Sequence, residues 1–171
     1  MMMIAPRPAL CAFILAIGFG SSSAAAQDTA AEERAHRAEV RRLVAWFEIK
    51  MNREVTENLL GEKMMKRLTG EGQPNSLAIR AGHANLPYHL EYIGYLVERR
   101  RWLAGDHFSV ADITAAAQLS ALDYLGDVPW DDHEPAKEWY ARIKSRPSFR
   151  PILADHIPGV PPPKHYADLD F

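Results

Sequence analysis

A run of acidic residues around His133 has the composition of a metal-binding cluster. Asp131, Asp132, His133 and Glu134 are consecutive, and carboxylates and imidazoles are common metal ligands. Consecutive side chains cannot all face one ion, however, and acidic residues suit the positive end of a helix that starts after them. We therefore predict that this run precedes a helix and that the chain has no metal site.

Other catalytic patterns find no support in the sequence. The seven histidines include no pair spaced four residues apart, and neither a Gly-x-Ser-x-Gly elbow nor a phosphate-binding glycine loop occurs. The sequence therefore contains no pattern that identifies a catalytic nucleophile. We therefore predict no catalytic residue and no cofactor held by this chain alone.

A stripe of tyrosines is one candidate for a binding surface. Tyr88, Tyr92 and Tyr95 recur at helical spacing beside an apolar stripe. Trp46 is a further aromatic residue that could join them. Ordinary packing of aromatic side chains is the alternative, and it explains the same spacing.

The C-terminal residues are a second candidate for binding. Residues 158–163 are too rich in proline to be helical and favour an extended conformation. The residues after them place acidic groups between large apolar ones, a pattern typical of short linear motifs. We predict that this tail stands away from the domain and binds a protein partner through His165, Tyr166, Asp168, Leu169, Asp170 and Phe171. A tail packed on its own domain is the alternative.

The composition is that of one soluble domain. The chain has 171 residues, of which 47% are hydrophobic and 25% charged, and its net charge is −2. That charge argues against nucleic acid as the main partner. The single cysteine, Cys11, excludes an internal disulfide and a cysteine zinc site.

The first 26 residues have the composition of a secretory signal peptide. Arg7 precedes an apolar run that ends at Phe19, and Ala24 and Ala26 supply the small residues of a cleavage site. The run is too short for a stable membrane span. An unstructured leader or a misplaced start codon is the alternative. The expected organisation is therefore a leader over 1–26, a domain over 27–157 and a tail over 158–171.

The domain is expected to be all-helical. Apolar periodicity predicts a long helix from Ala31 to about Gly61 and a second helix from Asn75 or Ser76, which Pro87 kinks or divides. A central helix starts at Ser109, where Ser109 and Asp112 resemble a capping box. Two shorter helices follow Glu134 and Ser148.

Two segments together resemble the C-terminal helical domain of the glutathione S-transferase family. They are Arg101-Trp102-Leu103-Ala104-Gly105-Asp106-His107-Phe108-Ser109-Val110-Ala111-Asp112-Ile113 and Trp139-Tyr140-Ala141-Arg142-Ile143-Lys144-Ser145-Arg146-Pro147-Ser148-Phe149. The resemblance implies a transferase-like helical bundle over about residues 32–157, followed here by the extended proline-rich tail. The segment 125–130 and the ending 163–171 are similar to bacterial members of this family that act in cell division and bind the tubulin homologue FtsZ.

The resemblance does not extend to the domain that performs the family's chemistry. In that family a thioredoxin-like domain of about 80 residues holds glutathione and activates its thiol, and no such strand pattern precedes the first helix here. The resemblance therefore implies glutathione only where such a domain is supplied elsewhere. It also implies that the tyrosine stripe lines the acceptor-substrate cleft and that the first two helices form a homodimer.

These expectations favour a truncated transferase-like protein that acts by binding. The alternative is a glutathione transferase whose N-terminal half is supplied by another chain or lost from the gene model. The leader argues for export, whereas the family resemblance argues for the cytoplasm.

Overall fold

The computed structural model describes residues 20–169, with side chains from Ala26 onward. This part of the chain is helical and contains no β-strand, only isolated bridges between Trp102 and Gly105 and between Ile157 and Val160. The all-α prediction is confirmed. Most of the expected leader and two predicted partner-binding residues, Asp170 and Phe171, lie outside the described residues.

The chain divides into two compact units between Ala35 and His36. The boundary falls inside helix α1 (Gly20–Ala45), which also contains Ala24 and Ala26. Helix α1 therefore begins earlier than the predicted start at Ala31. Cleavage after Ala26 stays a prediction.

The long helix predicted after Ala31 does not end near Gly61. Helix α1 continues directly into a π-helix, Trp46–Met65, and then into the four-residue helix α2, Lys66–Thr69. At the end of the π-helix the N–H of Lys66 donates to the carbonyl of Gly61, five residues earlier. Four apolar side chains recur every four residues on the buried face: Phe47, Met51, Val55 and Leu59. Such a spacing does not distinguish α from π winding over so few turns.

Four further helices complete the second unit. Helix α3 spans Ser76–Val97, α4 Val110–Tyr124, α5 Glu134–Lys144 and α6 Arg150–Leu153. The Asn75 side chain accepts from the N–H groups of Leu77 and Ala78 and so caps α3, as predicted. Pro87 lies inside α3 and does not divide it. Two single 3-10 turns, Trp130–Asp132 and Lys164–Tyr166, lie outside the helices.

The core forms where α3 and α4 pack against the π-helix and α5 packs against α3. One apolar cluster fills this space, and Trp139 and Tyr140 of α5 are its largest fully buried side chains. A second, smaller cluster consists of Met64, Tyr124, Leu153 and Tyr166. The second cluster joins the end of the π-helix to the C-terminal residues.

Helix α4 begins at the predicted capping box. The Ser109 side chain caps the first turn, and the Asp112 carboxylate accepts from the Ser109 N–H at 3.0 Å. Asp112 is fully buried and also accepts from the Leu103 N–H and from Trp139 Nε1, each at 3.0 Å. The box is confirmed, and its carboxylate additionally ties α4 to α5.

No helix among residues 20–169 combines the length and the apolar character needed to cross a bilayer.

Candidate functional site: the aromatic cleft and the C-terminal strap

An aromatic cleft lies between the π-helix and α3. Its volume is about 370 Å³, and Trp46, Tyr88 and Tyr92 line it. The Trp46 and Tyr92 rings are 4.7 Å apart, and Tyr88 is 71% exposed. Tyr95 does not line the cleft, because it faces Arg99, whose guanidinium lies 3.7 Å from its ring centroid. The structure thus brings together three of the four predicted residues.

A buried histidine connects the two walls of this cleft. Trp46 Nε1 donates to His89 Nδ1 at 3.1 Å. Because an indole nitrogen only donates, His89 carries its proton on Nε2, which faces Glu54 Oε2 at 3.2 Å. Burial lowers the pKa of His89, although Glu54 acts in the opposite direction. With both ring nitrogens engaged, His89 holds the cleft in shape and is not available as a general base.

Charged side chains contact the aromatic rings of the cleft. Lys50, which also lines the cleft, pairs with Glu54 and lies 5.4 Å from the Trp46 ring. Arg42 donates to the Tyr92 hydroxyl at 2.6 Å and forms an ion pair with Glu39. The cleft can therefore hold flat apolar groups between aromatic walls, and its lining includes no serine, threonine or cysteine.

The C-terminal residues 157–166, named here the C-terminal strap, pack on the second unit. The Tyr124 hydroxyl accepts from the Ile157 N–H and donates to the Val160 carbonyl, each at 2.7 Å. Tyr166 is 3% exposed, and its hydroxyl lies 3.1 Å from that of Ser120. The prediction that the tail stands away from the domain is wrong for these residues, because burying their apolar groups and satisfying their backbone outweigh the stiffness of the prolines.

Two buried charges lie beneath the strap. Asp123 of α4 is fully buried, and its Oδ1 accepts from Trp130 Nε1 at 2.7 Å and from His165 Nε2 at 3.0 Å. Lys144 of α5 is also fully buried and donates to the His165 carbonyl at 3.0 Å. Burial raises the pKa of Asp123 and lowers that of Lys144. His165, predicted to bind a partner, therefore contacts its own domain through both its ring and its backbone.

The residues after the strap are more open. Asp168 is exposed, and Leu169 is half-buried against the second apolar cluster. A cavity of about 620 Å³ lies beside them, lined by Val128, Pro129, Trp130, Asp131, Asp132, Lys137, Lys164, His165 and Asp168. Both acidic and basic side chains line the cavity, so its charge favours neither anionic nor cationic ligands.

Nothing in the described residues assembles a metal centre. No group of three or more His, Cys, Asp or Glu side chains converges within the part of the chain that the structure describes. His133 directly precedes α5, which starts at Glu134.

Sequence reasoning did not find four important residues: Lys50, His89, Asp123 and Lys144. Asp123 had one detectable signal, since it is a polar residue on an otherwise small and apolar helix. Lys144 had none, because a lysine in the last turn of a helix is ordinarily solvated. It donates to the carbonyl of His165 in the strap, 21 residues further along the chain.

The comparisons with known proteins agree with this fold. Residues 76–142, which include α3, α4 and most of α5, match the family described as glutathione S-transferase, C-terminal domain. The second unit, which contains this matched segment, is therefore similar to the C-terminal domain of glutathione S-transferases. The resemblance predicted from the sequence is confirmed.

Two curated relatives share the helical unit. FtsZ-localized protein A of Caulobacter vibrioides is 56% identical over 137 residues, which cover 80% of this chain and 60% of that protein. Glutathione S-transferase 2 of Saccharomyces cerevisiae is 38% identical over 66 residues, which cover 37% of this chain and 28% of that protein. The chain thus spans less than two thirds of the length of either relative.

Solved structures show the same partial coverage. A glutathione S-transferase from Rhodospirillum rubrum is 64% identical, with a TM-score of 0.78 over 80% of this chain and 62% of that one. FzlA from C. crescentus is 55% identical, with a TM-score of 0.77 over 80% of this chain and 61% of that one. This chain therefore corresponds to about three fifths of each of those chains.

Proposed function

We propose that this chain is a glutathione-transferase-like protein of cell division that acts by binding FtsZ. The main structural support for this proposal is that the C-terminal strap packs on the domain and leaves Asp168 exposed directly after it. The name of the Caulobacter relative, FtsZ-localized protein A, supplies the partner and the process.

The chemistry of the segment after the strap supports a protein partner. Two aspartates, Asp168 and Asp170, alternate there with the apolar residues Leu169 and Phe171. Acidic groups steer such a segment towards a basic groove, and apolar side chains anchor it in pockets. We propose that residues 168–171 contact the partner, while His165 and Tyr166 hold the segment to the domain.

Binding through this segment is tested with FtsZ of the source organism. We expect Phe171→Ala to weaken binding about tenfold or more, because apolar anchors dominate such interfaces. Asp170→Asn should have a smaller effect, since it removes only a steering charge. Asp131→Asn serves as the control, because Asp131 is fully exposed on the α4–α5 connection. FtsZ binding that survives Phe171→Ala and Asp170→Asn together would contradict the proposal.

A second candidate function is glutathione conjugation with a thioredoxin-like part from another chain. The aromatic cleft favours it, because Trp46, Tyr88 and Tyr92 present apolar surface for an electrophilic substrate. The glutathione S-transferase from Rhodospirillum rubrum, 64% identical, supports it as well. Residues 20–169 contain no strands of a thioredoxin-like fold, so we propose no conjugation by these residues alone.

The two candidates are separated by a turnover assay with glutathione and a standard electrophile. We expect no rate above the uncatalysed reaction, whether the purified chain is assayed alone or together with a separately expressed thioredoxin-like domain of a glutathione S-transferase. A rate that the chain accelerates and that Tyr92→Ala abolishes would establish the second candidate instead.

We also propose a homodimer through the π-helix and α3, the two long helices next to the cleft. Apolar side chains are exposed on both, namely Ile49 at 62% and Tyr88 at 71%. Burying them against a second copy would remove them from water. Light scattering tests the proposal: we expect a dimer for the unchanged chain and a monomer for the double variant Ile49→Glu, Tyr88→Glu. A monomeric unchanged chain at micromolar concentration would contradict it.

A further inference from the structure

His165 joins the C-terminal strap to the domain at two points. Its Nε2 donates to Asp123 Oδ1 at 3.0 Å, and its backbone carbonyl accepts from Lys144 Nζ at 3.0 Å. Asp123 and Lys144 are fully buried, whereas the side chain of His165 is 37% exposed. The polar attachment of the strap therefore depends on two charges inside the domain.

Packing alone does not explain these two charges. Burying an ionised side chain is costly, and apolar residues of similar size commonly serve stability as well or better. Asp123 and Lys144 attract each other, which offsets part of that cost. The Asp123 and Lys144 side chains both converge on one residue of the strap. This convergence points to a role in placing that residue.

The position of His165 determines the direction of the chain after it. The His165 carbonyl accepts not only from Lys144 but also from the backbone N–H of Asp168, at 3.1 Å. The His165 carbonyl oxygen thus accepts two hydrogen bonds. One comes from Lys144 of α5, and the other, from the Asp168 N–H, closes the turn that leads to Asp168. The bond from Lys144 therefore helps to set the course of the chain from His165 to Asp168.

We propose that Asp123 and Lys144 are positioning residues for partner capture, which set the affinity of residues 168–171 without touching the partner. The proposal rests on the proposed function, binding of FtsZ through these residues. Holding a short segment in its bound direction removes an entropic cost that a free segment pays on binding. Loss of either charge should therefore weaken capture while the contacting residues stay unchanged.

The test uses the full chain, FtsZ of the source organism and the variant Lys144→Met, which keeps the length of the side chain and removes its donor. We expect FtsZ affinity to fall about tenfold, the effect of losing one hydrogen bond to a charged group. Hydrogen exchange at the Asp168 amide should accelerate by a similar factor, while exchange in the core of α4 stays unchanged. Lys137→Met is the matched control, because it removes the same charge from the same helix.

A second variant covers the case in which Lys144→Met does not fold. His165→Ala removes the ring that contacts Asp123 and leaves both buried charges in place, and it should also reduce affinity and amide protection. Faster exchange at Asp168 with unchanged FtsZ affinity would overturn the proposal, as would unchanged exchange in both variants. Failure of the unchanged chain to bind FtsZ, with the Asp168 amide protected as expected, would instead defeat the proposed function and with it the positioning role.

Discussion

At the scale of single residues, buried carboxylates connect the helices of this domain. Asp112 accepts four hydrogen bonds, two from Ser109 and one each from Leu103 and Trp139. The sequence predicts its role at the start of α4, because a capping box is a local pattern. It does not predict the bond from Trp139, 27 residues away, since that bond depends on the packing of α5 on the rest of the domain.

Asp112→Ala should lower the free energy of unfolding by about 3–5 kcal/mol, because it leaves several buried donors without an acceptor. Ser109→Ala, which removes the cap and one of the four hydrogen bonds to Asp112, should cost only about 1 kcal/mol. Urea unfolding of the two variants measures the difference. Equal midpoints would show that Asp112 contributes capping and nothing more.

The ionisation of Glu39 should make the stability of the protein depend on pH. Hydrogen bonds from Arg42 and Arg100 lower the pKa of Glu39 from 4.5 to about 2, against the opposing effect of burial. Because the pKa is lower in the folded state, ionised Glu39 favours folding above about pH 4.5, and this contribution disappears as the pH falls towards 2. The ion pairs of Glu39 with Arg42 and Arg100 are partly solvated, so they contribute about 1 kcal/mol or less to the free energy of unfolding.

The measurement is urea unfolding of the unchanged chain and of Glu39→Gln between pH 7 and pH 2.5. Glu39→Gln should be the less stable protein at pH 7 and should approach the unchanged chain at pH 2.5. Glu48→Gln, on the exposed face of the π-helix, is the control. A stability difference between the unchanged chain and Glu39→Gln that grows as the pH falls would contradict this prediction.

At the scale of elements, the sequence predicts which helices exist better than how they are wound. The four-residue spacing of Phe47, Met51 and Val55 identifies a buried helical face, but it fits both α and π winding. Pro87 illustrates a similar limit, since its local effect predicts either a kink or a break, and the structure has one helix through it. The tyrosine stripe predicts two members of the cleft, Tyr88 and Tyr92, whereas its third tyrosine, Tyr95, contacts Arg99 instead.

Two glycines of α3 should respond to alanine in opposite ways. A Cβ at Gly82 would lie 2.8 Å from Cγ of Leu59, which is fully buried and cannot move aside. Gly82→Ala should therefore cost about 1–3 kcal/mol. A Cβ at Gly94 would lie 3.6 Å from Pro135, an ordinary contact. Gly94→Ala should therefore gain about 0.5–1 kcal/mol from helix propensity.

Thermal unfolding of Gly82→Ala and Gly94→Ala tests the close contact between α3 and the π-helix. The two melting temperatures should lie on opposite sides of that of the unchanged chain. A stabilised Gly82→Ala would mean that Leu59 has room to shift.

At the scale of the whole molecule, the C-terminal strap is part of the folded domain. Its composition predicts an extended conformation, but composition does not show where an extended segment lies. The strap position is set by Tyr166 in the second apolar cluster and by Asp123 and Lys144 beneath His165. These contacts join residues that are far apart in the sequence, so no local pattern reveals them.

Deleting residues 164–171 should lower the melting temperature by about 5 °C or more. The deletion exposes the site of Tyr166 and leaves Ser120, Asp123 and Lys144 without partners on the strap. Deleting only residues 170–171 is the control, because every described contact of the strap is kept. Equal melting temperatures for the two deletions would show that the strap does not stabilise the domain.

The strap also sets the order in which the domain can be completed during translation. Asp123 and His165 are separated by 42 residues of chain, which a ribosome adds in about 2–8 s at common elongation rates. Throughout that interval α4 has been synthesised but its buried carboxylate lacks the imidazole that covers it in the finished protein. The nascent domain therefore passes through seconds in which Asp123 is still open to water, and it closes only when the strap has emerged.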